Sequence, residues 1–87
     1  MSEAVQTTDH AIIRRWIEER DGHPARVKGA GEGGILRVDF GEQEDNLEEI
    51  EWEAFFSIFD ENELAFLYQD ETKGGKTSRF NKFVARQ

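Results

Sequence analysis

The stretch EWEAFFSIFDENELAFLYQDE, residues 51–71, decides the fold, because a helical period and a strand period stand back to back in it. Trp52, Phe55, Phe56 and Phe59 fall at i, i+3, i+4 and i+7, which predicts an amphipathic helix. Glu51 stands at its N-cap, and Ile50 is placed to clasp Phe55 as a hydrophobic staple. Glu51 and Glu53 lie where the helix dipole favours negative charge. The residues Asp-Glu-Asn at 60–62 end the helix. LAFLYQD, residues 64–70, then reads as a strand, with Leu64, Phe66 and Tyr68 on one side and Ala65 and Leu67 on the other. Apolar side chains on both sides predict a central strand.

Upstream, GEQEDNLEE, residues 41–49, is polar and reads as a surface loop. In ILRVDF, residues 35–40, Leu36, Val38 and Phe40 alternate with Arg37 and Asp39, the pattern of a half-buried strand. PARVKG, residues 24–29, offers a partner strand with Ala25 and Val27 inward and Arg26 and Lys28 outward. The Gly-rich run 29–34 joins the two as a hairpin. Residues 8–22, TDHAIIRRWIEERDG, predict a first helix capped by Thr8 or Asp9, with Ile12, Ile13, Trp16 and Ile17 on one stripe. Gly22 suits its left-handed closing position, and Pro24 prevents the helix from resuming. Downstream, 71–78 supplies a turn around Gly74-Gly75, and RFNKFVA, residues 79–85, is the last strand.

The order is α-β-β-α-β-β. The two αββ units show no sequence repeat between them. Short connections predict an α+β two-layer sandwich, a four-stranded, mainly antiparallel sheet with both helices on one face. Residues 1–7 read as a flexible tail and 8–87 as one domain. The expected core is Ile13, Trp16, Ile17, Leu36, Val38, Phe40, Trp52, Phe55, Phe56, Phe59, Phe66 and Phe80.

Composition narrows the function classes. The chain has 87 residues, seven Phe, two Trp, one Tyr and no Cys. Lack of cysteine excludes disulfides, thiolate zinc sites and a Cys nucleophile, and fits a reducing cytoplasm. No apolar run reaches the roughly 18–20 residues of a membrane span. The formal net charge of −8 is segregated: residues 42–71 carry twelve acids and no base, and residues 72–87 carry five bases and no acid. Binding driven by nucleic-acid phosphates needs a net basic footprint, which this composition does not supply.

Two short motifs are decoys. Gly29-x-Gly31-x-x-Gly34 matches GxGxxG, but it joins two strands rather than opening a helix. Asp39-Phe40-Gly41 spells DFG without the strand lysine or catalytic loop of a kinase. His10 and His23 sit at opposite ends of the first helix, about 20 Å apart at 1.5 Å per residue, too far to share one metal ion. Ser57 and Ser78 lack a nucleophile context. Neither catalytic residues nor a cofactor or metal site is therefore expected.

The runs TTDHAIIRRWIEERDGHPARVKG, GILRVDF, LEEIEWEAFFSIFDENELAFLYQDET and SRFNKFV resemble a family of small acidic bacterial proteins over nearly all the chain after residue 6. Members of that family usually carry Ser before the Trp of the second helix, where this chain has Glu51, which implies a weaker cap. Some members carry the label 1,4-alpha-glucan branching enzyme. That activity belongs to much larger proteins with a barrel catalytic domain, a carboxylate nucleophile and an acid/base. None of those motifs occurs here, so the resemblance carries over no catalytic residue. It implies a bacterial, cytoplasmic, single-domain protein.

The functional expectation is a non-enzymatic protein-binding or regulatory module. Glu42, Glu44, Asp45, Glu48 and Glu49 are expected to form a solvent-facing ridge that attracts a basic protein surface. The alternatives are a glucan-related enzyme or accessory protein, stacking sugars on Trp16, Trp52 or Tyr68, and a homodimeric structural protein that uses an open sheet edge or the second sheet face.

Overall fold

The computed structural model describes residues 3–29, 35–41 and 45–86. Asp9 starts the first helix, α1, His10–Glu18: its extended backbone (φ −75°, ψ 114°) lets the carboxylate accept from the amides of Ala11 and Ile12 at 2.9 and 3.2 Å. Ile13, Trp16 and Ile17 form the buried stripe. The second helix, α2, spans Trp52–Glu61. Glu51 has N-cap backbone geometry (φ −72°, ψ 153°) but its side chain makes no capping bond. Phe55 and Phe59 are fully buried, whereas Trp52 and Phe56 form a half-buried shoulder.

The strands are β1 (Val5–Thr7), β2 (His23–Val27), β3 (Leu36–Asp39), β4 (Leu47–Glu49), β5 (Leu64–Tyr68) and β6 (Asn81–Ala85). They form two three-stranded antiparallel sheets, β1-β5-β6 and β3-β2-β4, rather than one four-stranded sheet. Two segments expected to be irregular supply the extra strands. Val5–Thr7 was expected in a tail and Leu47–Glu49 in a polar loop, and each is too short and too polar to show an alternating signal.

The pairing is reciprocal. The chain is two β-α-β-β units in series, β1-α1-β2-β3 and β4-α2-β5-β6. The first strand of each unit lies on the hairpin of the other: β1 on β5, β4 on β2. Equivalent positions lie 42 residues apart: the N-caps Asp9 and Glu51, the buried pairs Ile13 and Phe55, Ile17 and Phe59, and the left-handed residues Asp21 (φ 57°) and Glu63 (φ 50°). Aliphatic residues in one unit stand where aromatic residues stand in the other. Identity is therefore lost although the buried spacing is kept.

One core joins the two units. Ile13, Trp16, Ile17, Leu36, Phe55, Phe59 and Phe66 form a single buried cluster, and Val38, Phe40, Trp52, Phe56 and Phe83 pack against it. Full burial of each large apolar side chain is worth about 1.5–3 kcal/mol. The α+β fold of two helices and two three-stranded sheets measures 38 × 31 × 18 Å along its principal axes.

Three expected orientations are corrected. Phe80 is 45% exposed and precedes β6, while Phe83 contacts the rings of Phe55, Phe59 and Phe66 at 5.4–6.4 Å. In RFNKFVA each alternating set holds one Phe, and a one-residue change of phase exchanges them. In β2, Arg26 lies opposite the core residue Leu36, so Pro24 and Arg26 face the helices and Ala25 and Val27 face away. At the end of α1, Asp21 rather than Gly22 takes the left-handed conformation. Gly22 serves a close approach instead: a Cβ there would lie 2.9 Å from Ile17 Cγ2 and 3.0 Å from Val38 Cγ1.

Candidate functional site

α2 carries no Lys or Arg, and its solvent face presents Glu53, Ala54, Ser57 and Glu61 at successive turns. Glu51 precedes them at the N-cap. The small Ala54 and Ser57 leave a shallow hollow of about 360 Å³, lined by Glu51, Glu53, Ala54 and Ser57. On the other side of Glu51 lies a groove of about 370 Å³ lined by His23, Pro24, Glu49, Ile50, Glu51 and Trp52. Ser57 Oγ donates to Glu61 at 3.4 Å. The carboxylates of Glu51 and Glu53 make no ion pair or hydrogen bond among the described residues. The helix dipole tolerates both charges at this end. The hollow is thus an acidic concavity with a small-residue floor, chemically suited to an ammonium or guanidinium group.

The described members of the expected acidic ridge, Asp45, Glu48 and Glu49, are all exposed, and two of them have cationic or imidazole neighbours. Glu42 and Glu44 lie outside the described residues. Asp45 is exposed in the turn before β4. Glu48 accepts from Arg26 Nε at 2.7 Å, an ion pair across two adjacent strands. Glu49 has His23 Nδ1 4.0 Å away. Among the described residues Asp45, Glu51 and Glu53 make no ion pair or hydrogen bond, and the last two flank the start of α2. The sequence signal was present in the base-free run through residue 71, but the loop received the emphasis because helical acids also serve as ordinary solvated surface.

Two polar networks join segments far apart in sequence. His10 stacks on Phe56 with ring centroids 4.1 Å apart, and its Nε2 lies 3.0–3.2 Å from the carboxylate oxygens of Asp60. Arg86 Nη2 donates to the same Asp60 at 3.2 Å, and its Nε donates to the carbonyl of Leu64 at 2.9 Å. The His10 hydrogen bond first, then that of Arg86, hold the Asp60 carboxyl below the usual aspartate range. The second network centres on Arg20, a buried residue whose guanidinium stacks on Trp16. Burial lowers its pKa, opposed by the nearby charges of Asp70 and Glu19. Nothing local in the sequence marked either network, since each closes over 50 or more residues.

A groove of about 510 Å³ lies beside Arg20, lined by Ile12, Arg15, Trp16, Glu19, Arg20, Tyr68 and Asp70. Trp16 is only 3% exposed there, with its indole N–H donated to the carbonyl of Gln69 at 3.2 Å. Among the described residues no three His, Cys, Asp or Glu side chains cluster as metal ligands, and no helix is long and apolar enough to cross a membrane. Against known proteins, the chain matches no family model, no curated relative and no solved structure.

Proposed function

We propose that the protein is a non-enzymatic interaction module that receives a basic segment of a partner protein on the solvent face of α2. The observation carrying this reading is the pair Glu51 and Glu53, carboxylates with no partner among the described residues, beside a hollow lined by Ala54 and Ser57. A Lys or Arg side chain entering it would meet two anions without displacing an existing cation. Exposed charge pairs are individually weak, so the contact would act through encounter rate and orientation, and salt would weaken it.

A titration of isotopically labelled protein with a Lys/Arg-rich peptide tests this. The expected result is amide shifts centred on residues 51–57 that fade as salt rises, and their loss in the double variant Glu51→Lys, Glu53→Lys. Shifts centred elsewhere, or binding indifferent to salt, would refute the proposal.

The glucan-related alternative has weaker support. Sugar stacking needs an open aromatic face, and Trp16 is buried. Arg14 lies over the Trp52 ring at 5.4 Å, and Tyr68 is half-buried against Phe66.

A further inference from the structure

The helix-free face of the sheet layer is built from the other alternate residues of each strand. Paired residues share a face, so its side chains can be read in rows across the strands. In β3-β2-β4, Ile35, Val27 and Leu47 form an apolar row: Val27 pairs with Leu47, and its amide donates to the carbonyl of Ile35 at 2.9 Å. The next row is Arg37, Ala25, Glu49, and the one after is Asp39, His23. In the other sheet the rows are Gln6, Leu67, Lys82 and Ala65, Val84.

Three features of this face point to the same occupant. Its described strand charges, Arg37 and Lys82 against Asp39 and Glu49, cancel on a chain whose net charge is −8. Two copies can therefore approach there without the repulsion that the acidic helix layer would impose. The row Arg37, Ala25, Glu49 is self-complementary: an exposed cation and an exposed anion about 10 Å apart, two strand spacings, flank the buried Ala25. A two-fold axis near Ala25 reverses the row and sets each cation against the anion of the other copy. The apolar row offers open surface to such a contact, since Ile35 at its edge is 48% exposed.

We propose that this face is an isologous homodimer interface, with Arg37 of each copy meeting Glu49 of the other across the Ile35–Val27–Leu47 rows. Dimerisation leaves α2 on the outside, so the dimer would display two copies of its acidic face. The inference stands independently of that face having a ligand.

Sedimentation velocity on the full chain at concentrations up to about 1 mM tests it. The expected wild-type result is a reversible species of twice the chain mass. Arg37→Glu alone and Glu49→Arg alone each replace two attractions with two repulsions and should weaken self-association roughly tenfold or more. Mixing the two variants restores both attractions only in a heterodimer and should return the wild-type mass. Far-UV circular dichroism checks that each variant folds, which is expected because both side chains are exposed. Three outcomes would overturn the proposal: a wild-type protein monomeric throughout, single variants that dimerise like wild type, or a mixture that stays monomeric.

Discussion

Arg20 lays its guanidinium on the indole of Trp16, with Cζ 4.1 Å from the ring centroid, and donates to three backbone carbonyls. These are Ser78 at 2.6 Å, Trp16 at 2.9 Å and Asp70 at 3.0 Å. Ser78 and Asp70 bound the long β5–β6 connection, so one residue at the end of α1 fixes a loop of the second unit. Asp70 also receives the amide of Ser78 at 3.0 Å, and Ser78 Oγ donates to Gln69 Oε1 at 3.0 Å.

Replacing Arg20 by Met keeps much of its length but strands the three carbonyls and removes the cation from the indole face. The expected loss is about 2–4 kcal/mol of unfolding free energy. Arg20→Lys should recover only part of it, because an ammonium cannot spread three donors in one plane. Chemical denaturation measures the loss. Hydrogen exchange should show it concentrated at residues 69–80, with α2 less affected.

Gly22 and Asp21 predict opposite responses. A methyl group at Gly22 would press on Ile17 and Val38, both held in the packed layer, so Gly22→Ala should destabilise by about 1–3 kcal/mol. Asp21→Gly removes a side chain from a left-handed backbone position and should stabilise by up to about 1 kcal/mol. Its structural counterpart Glu63, also left-handed, should respond to Gly in the same direction. Thermal melts of the three variants check the signs. A stabilising Gly22→Ala would show that Ile17 and Val38 give way and that their close approach to Gly22 does not constrain the fold.

Legibility in the sequence follows from how local each determinant is. Both helices were readable because four or more apolar residues repeat at 3–4 spacing inside a single element, and β3 and β5 were readable from alternation. β1 and β4 were not, since three residues cannot display a period and their strand character comes from the hairpin they join. Each joins the hairpin of the other unit, which a reading by neighbouring segments cannot anticipate. Phe80 and Phe83 are symmetric in sequence, and contact with Phe55 and Phe66 breaks the tie. The acidic character of the candidate site was visible at once. Which acids are open was not, because Arg26 reaches Glu48 from 22 residues away.

Asp60 ties both helices to the end of the chain, and its shifted titration makes that tie dependent on pH. The carboxylate is favoured in the folded state by His10 and then by Arg86, so its pKa is lower folded than unfolded. A depressed acid contributes stability above its unfolded pKa, about 3.9, and that contribution is lost as the pH falls through the folded value. Both carboxylate and imidazole are nearly half exposed, so solvent screening limits the effect to a few tenths of a kcal/mol. Asp60→Asn should therefore be slightly less stable than wild type near neutral pH, and the difference should shrink as the pH drops below about 4. Urea midpoints of the two proteins across that range measure the closing gap. A constant difference at every pH would mean that Asp60 acts through packing or amide-compatible hydrogen bonds rather than through its charge.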